Sequence, residues 1–220
     1  MYGNRIVMLP QSVCYQDKGL IEKDADLMAR HPDLHLFARD QASYDILTAR
    51  FSRNHLYLAP DMAFCVNSRL LTPHRNREEG RTLFLLRSDK ELTQTTPASI
   101  PEADVTSDWP KPENTKRLIR NLKRGRRISR ELRSRGLSSI FIDGAIRVCA
   151  DRFIRDSMTK KGCEFMEPFS RIITTRLHTI ILAVLLHKPV EYIDNSYGKL
   201  SAFAETWLQD LPAVKVYGGD

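Results

Sequence analysis

Short apolar runs separated by longer stretches of mixed spacing set the rhythm of the chain. Arg5 to Leu9 closes on Pro10, and Leu34 to Phe37 and Leu56 to Leu58 end at polar or proline stops, so all three predict strands. Between them, Leu20 to His31 and Gln41 to Ser52 carry helical spacing, and Asp40 stands where its carboxylate can cap the second helix. A further strand is predicted at Thr82 to Leu86, after the polar stretch Pro73 to Gly80. Residues 92–112, with four prolines and a Ser/Thr-rich stretch, predict a loop or crossing linker. Beyond it the pattern predicts helices over 116–135 and 142–161, a strand Arg171 to Thr175, a helix Leu177 to His187 and a strand Val190 to Ile193. A last helix, Ser201 to Leu208, precedes a strand Val214 to Tyr217. Strands alternating with helices imply an α/β protein with parallel sheets covered on both faces.

Composition bounds this picture without changing it. With 220 residues and 42% apolar content, the chain can bury a core as one large domain or two small ones. Its longest apolar stretch, Ile180 to Leu186, is far shorter than the roughly 20 residues that span a bilayer. Met1 to Pro10 has no small-residue cleavage pattern, so the expected location is the cytoplasm. Cys14, Cys65, Cys149 and Cys163 form no C-x-x-C pair, and the six histidines show no ligand spacing along the chain. Neither a metal site nor a cofactor is expected.

Charge does change the picture, because it is local. The net +7 resides in Lys116 to Arg135, where ten Lys or Arg face the single Glu131, leaving about −2 on the rest of the chain. Leu118, Ile119, Leu122, Ile128 and Leu132 make this an amphipathic helix with a very basic outer face. That face is either simply solvated or meets an anionic partner: a membrane surface, the diphosphate of a lipid-linked glycan, or RNA. RNA fits least, because the segment lacks interleaved aromatics on which bases would stack.

The most informative unit is Arg171 to Ile193. A β-branched strand, Ile172-Ile173-Thr174-Thr175, runs through Arg176-Leu177-His178 into an apolar helix. Ligands of open α/β sheets collect at the carboxyl ends of strands, so an Arg and a His planted there predict an anion pocket.

These residues belong to a longer resemblance. Pro10-Gln11-Ser12, Ala38-Arg39-Asp40 with Ser43-Tyr44, and Ala59-Pro60-Asp61-Met62-Ala63-Phe64 resemble successive blocks of the polysaccharide pyruvyl transferases. Leu85-Leu86-Arg87-Ser88-Asp89-Lys90-Glu91, Asp108-Trp109, Thr175-Arg176-Leu177-His178 through Lys188-Pro189, Asp194 to Leu200 and Glu205-Thr206-Trp207 continue it in order. The resemblance implies a GT-B-like fold of two Rossmann-like halves: a partial N-terminal domain over 1–75, apparently truncated, and a C-terminal, donor-binding domain over 76–220. It implies phosphoenolpyruvate as donor, and as acceptor a surface glycan or its lipid-linked oligosaccharide precursor. Two positions depart from the family pattern beside the pocket: Thr175, where Asp is frequent, and Thr179, where Gly is common.

A carboxylate and a phosphate on one donor call for at least two cations. Arg176 is expected to supply one and Arg87 the second, with Lys90 a weaker candidate. Protonating the enol methylene needs an acid that titrates near neutrality, which points to His178 as the catalytic group. Tyr44, Asp61, Asn195 and Tyr197 are further candidates, equally well explained as a buried aromatic or as turn formers. Three readings follow: the pyruvyl transferase, a GT-B glycosyltransferase using a nucleotide sugar, and a non-catalytic truncated relative or basic binding module. In the first, the basic segment 116–135 adds peripheral contact at the inner face of the cell membrane.

Overall fold

The computed structural model describes residues 3–71, 80–88, 96–110, 115–150, 155–194 and 198–219. Three strands, β1 (Ile6–Gln11), β2 (Leu34–Ala38) and β3 (His55–Leu58), pair in parallel in the order β1-β2-β3. Helices α1 (Lys18–Met28) and α2 (Gln41–Arg50) join them. A right-handed crossover repeated in one direction leaves both helices on the same side of the sheet. Ala25, Leu34, Leu36, Ala38, Leu47 and Phe51 accordingly form a buried cluster there. As expected, Asp40 caps α2: its carboxylate accepts from the Ser43 amide at 2.8 Å. β1 runs one residue past Pro10, and its register with β2 slips between Met8 and Gln11, so the proline sits at a bulge of an edge strand.

The second sheet has five parallel strands in the order β5-β4-β6-β7-β8: β4 (Thr82–Leu85), β5 (Val105–Ser107), β6 (Arg171–Thr174), β7 (Val190–Tyr192) and β8 (Val214–Val216). Helices α6 (Leu177–Leu185) and α7 (Lys199–Trp207) connect β6 to β7 and β7 to β8. β4 connects outward to β5 while β6 connects the other way, so the winding reverses between these two neighbours. Reversal brings cover to both faces, and every residue of β4 is buried, as are Ile172, Ile173 and Thr174 of β6. β5 corrects the expected loop over 92–112: three residues are too short to show an alternating pattern, and parallel pairing with β4 makes the strand.

By contact density the chain divides into two units: residues 1–66, 78–108 and 169–220, which hold both sheets, and residues 67–77 with 109–168. The boundary expected at 75/76 lies outside the described residues. The second unit contains α3 (Thr115–Ser134), α4 (Ile140–Val148) and α5 (Asp156–Met166). Every described residue of the helix expected over 142–161 is helical, with α-helical geometry in α4 and α5 and π-type geometry at residues 149, 150 and 155. The two helices serve different partners: α4 packs on α3, while α5 meets the 3₁₀ turn Ser68–Leu70 and buries Gly162, Cys163 and Met166. Among the described residues no helix is long and apolar enough to cross a membrane.

Candidate functional site

The reversal of winding places the carboxyl ends of β4 and β6 side by side, with their connections leaving in opposite directions. In open parallel sheets this is where a crevice forms and ligands bind. Leu85 pairs with Thr174, so Arg87 and Arg176 each stand two residues beyond a paired position on adjacent strands. Threonines tie the two ends together. Thr174 donates its hydroxyl to the Leu85 carbonyl at 3.0 Å and accepts the Arg176 amide at 3.0 Å, while Thr175 Oγ1 accepts the Arg87 amide at 3.0 Å. Thr175 is thus a buried strap between the strands.

Arg176 opens α6 and meets Asp108 from the end of β5 as a fork, Nε to Oδ1 at 2.8 Å and a terminal nitrogen to Oδ2 at 2.7 Å. Both side chains are about three-quarters buried, which favours a fixed geometry over a solvated one. Asp108 also accepts from the Ser88 hydroxyl at 2.7 Å. Three neighbouring strand ends therefore converge on one carboxylate.

His178 takes a different direction from its neighbour. Its ring is 65% exposed, and Nε2 lies 3.8 Å from Oδ1 of Asp61, which is 8% exposed. Asp61 follows β3 and caps the 3₁₀ turn Met62–Cys65 by accepting from the Ala63 amide at 2.9 Å. It also accepts from Arg39 at 2.8 Å. Arg39 in turn donates to Ser12 at 2.9 Å, Ser12 donates to Asp40 at 2.6 Å, and the Arg39 carbonyl accepts from the Trp207 indole at 2.8 Å. The ends of β1, β2 and β3 are so joined in one polar network, which Trp207 of α7 and His178 of α6 approach from the side of the second sheet. Among the described residues Arg176 meets Asp108, and His178 approaches Asp61. An exposed imidazole can exchange protons with a bound molecule.

The remaining candidates separate. Asp61 belongs to this network, whereas Tyr44 packs against the hydrophobic cluster under β2. Lys90, Asn195 and Tyr197 lie outside the described residues. Asp194, just before them, caps α7 by accepting from the Leu200 and Ser201 amides at 3.1 and 2.9 Å. Arg39 and Asp108 carry no expected role from sequence, although both stand in the resembling blocks; for Arg39 the available signal is a charged residue just beyond a predicted parallel strand, whereas Asp108 follows a strand that the sequence pattern does not reveal.

Among the described residues, one grouping of metal-ligating type occurs away from this network. His35 and His55 are register partners on β2 and β3, and with Asp33 they bring one ligand atom each to within 4.8 Å of one another. Expecting no metal ligands from spacing along the chain overlooked that parallel pairing can create such a set. His35 is engaged at both nitrogens, to Tyr57 at 3.1 Å and to Asp33 at 2.7 Å. Asp33 also accepts from Arg5 at 3.2 Å, and the hydrogen bond from His35, with lesser help from Arg5, lowers its pKa. A guanidinium on the carboxylate opposes a cation there.

Comparison with known proteins bears on the whole chain. The family described as polysaccharide pyruvyl transferase matches residues 2–197. A Bacillus subtilis protein named "Putative pyruvyl transferase EpsO" is 29% identical over 97% of this chain and 63% of its own length. "Pyruvyl transferase 1" of Schizosaccharomyces pombe is 28% identical over 92% of this chain and 46% of its own, and "General stress protein 30" of Bacillus subtilis 26% over 95% and 53%. The chain therefore spans less than two thirds of the length of these relatives. A crystal structure of a functionally uncharacterised Klebsiella pneumoniae protein shares the fold, with a TM-score of 0.57 and 15% identity over 96% of this chain and 63% of that one.

Proposed function

The chain belongs to the polysaccharide pyruvyl transferase family, and from that premise we propose that it moves the pyruvyl group of phosphoenolpyruvate onto two hydroxyls of a glycan or of its lipid-linked precursor. The observation that carries this reading is the convergence of Arg87, Arg176 and Asp108 on the strand ends where the winding of the second sheet reverses. On this reading the two sheets are the two Rossmann-like halves of a GT-B-like enzyme, divided near residues 75 and 76.

The donor carries a carboxylate and a phosphate. Arg176, fixed by Asp108, presents a planar fork to one oxyanion, and Arg87, on the adjacent strand end, takes the other. The Arg176–Asp108 pair pre-orients the guanidinium. His178 protonates the enol methylene carbon as positive charge develops at the central carbon. A sugar hydroxyl adds there and gives up its proton, to the imidazole or to water. The second hydroxyl of the sugar then displaces phosphate and closes the cyclic ketal. Asp61 lies behind the imidazole, 3.8 Å from Nε2.

The test is release of phosphate from phosphoenolpyruvate in the presence of a glycan acceptor. Arg176→Ala is expected to abolish it, and Asp108→Asn to raise KM more than it lowers kcat, because the fork would lose orientation rather than charge. Wild-type turnover in the Arg176→Ala protein would refute the site. Phosphoenolpyruvate should also raise the Tm of the wild type and not of Arg176→Ala; a rise with nucleotide sugars instead would make the chain a glycosyltransferase.

A further inference from the structure

In the second unit, α3 and α4 form a helical hairpin whose contacts fix which way each helix faces. A Cβ on Gly125 would meet the Ile146 side chain at 3.1 Å, so glycine sets the closest approach of the two helices. Asp143 of α4 accepts from Ser129 at 2.6 Å and from Ser139 at 2.7 Å, and pairs with Arg133. With Gly125 and Ser129 turned inward, Arg120, Lys123, Arg124, Arg126, Arg127 and Arg130 are left exposed, and none makes an ion pair with a described residue. Six unneutralised cations within 11 residues repel one another and destabilise the helix unless an anionic surface meets them.

The hairpin has a second unusual surface. At and after its turn Leu137 is 55% exposed, Ile140 75% and Phe141 93%, and Val148 continues the same apolar side of α4. Large side chains so bare, beside a dense cluster of cations, combine the two requirements of a helix that rests in a lipid interface. The 100° step of a helix spreads the six cations over both flanks of α3 as well as its outer side. A hairpin resting on Ile140 and Phe141 therefore keeps part of the charge facing the surface on which it lies.

We propose that the α3–α4 hairpin docks the protein on an anionic bilayer, with Leu137, Ile140 and Phe141 entering the headgroup region and the cations of α3 lying over lipid phosphates. Nucleic acid accounts for the charge and leaves the aliphatic tip without purpose: Phe141 is the one aromatic residue between 115 and 150, where base stacking calls for several. The proposal extends the pyruvyl-transfer reading by bringing the enzyme to where a lipid-linked acceptor resides. It needs neither donor nor turnover to be tested, so its failure would leave that reading intact.

The full 220-residue chain is sedimented with vesicles of phosphatidylcholine alone and of phosphatidylcholine with phosphatidylglycerol. Binding is expected to the mixed vesicles and to fall steeply between 0.1 and 1 M salt, as the Debye length contracts from about 10 to 3 Å. Replacing any one of the six cations by Gln should weaken it about fivefold. Ile140→Ser with Phe141→Ser should weaken it about tenfold while leaving the salt dependence in place. Because both side chains are exposed, these variants are expected to keep wild-type circular dichroism. Equal binding to the two vesicle types, or none, overturns the proposal. So does indifference to the Ile140 and Phe141 changes, which would mean adsorption without insertion, or salt-dependent capture of a short single-stranded RNA in place of the vesicles.

Discussion

The two sheets are built from the same repeating unit and end in different environments. In the five-stranded sheet the order reverses between β4 and β6, and these strands are buried on both faces. In the three-stranded sheet the order advances one way, helices cover one face, and the other exposes Val7, Leu9, His55 and Tyr57 beside the half-buried His35 and Phe37. Winding direction, more than the hydrophobicity of any strand, decides how many faces are covered. The functional groups follow the same division: the reversal brings Arg87 and Arg176 together, while the one-way sheet contributes the Arg39–Asp61 network.

The sharpest way to break this comparison is to truncate one side chain in each sheet. Phe84→Ala, at the centre of the doubly covered sheet, should cost about 3–5 kcal/mol in urea unfolding. Val7→Ser, on the open face, should stay within about 0.5 kcal/mol. Comparable losses would mean that the open face is in truth covered. Next in size is Asp61→Ala, which strands the mostly buried Arg39 without its carboxylate and should destabilise by about 3 kcal/mol, while Asp61→Ser, which can still cap the turn, should not restore it. A smaller effect of opposite sign is expected at Thr179. Its hydroxyl is fully buried and finds no partner among the described residues, so Thr179→Val should stabilise by about 1 kcal/mol, read as a rise in urea midpoint.

The smallest effect lies outside both sheets. Hydrogen bonds from Ser129 and Ser139, with Arg133 alongside, hold the Asp143 carboxyl at about 2. That is below the ~3.9 of an unfolded chain, so the stabilisation is whole above about pH 4 and disappears as the pH falls toward 2. Amide exchange in α3 and α4 should therefore be slower in the wild type than in Asp143→Asn at pH 5, and the difference should vanish near pH 2.

Much of this was legible along the chain. Asp40 announced the start of α2 because a cap needs only a short polar side chain before a helical pattern, and the handover from β6 to α6 was visible in a β-branched run meeting an apolar helix. What escaped depends on distance in sequence. Asp108 reaches Arg176 across 68 positions, and His35 meets His55 solely because two strands pair in register. Nor could β1 be told from a buried strand, since Ile6-Val7-Met8-Leu9 reads the same whether or not anything lies over it. The directions that Arg176 and His178 take were not legible either, because residues two apart at the start of a helix point to different sides.

Pro10 has a consequence for the chain in solution. β1 is an outer strand with bare apolar side chains, the kind of border on which a second molecule could add its own strand and begin a growing stack. A proline has no amide hydrogen to offer such a newcomer, and the bulge around it throws the following residues out of step. The same residue that closes the first apolar run thus also interrupts the ladder that such an addition would extend.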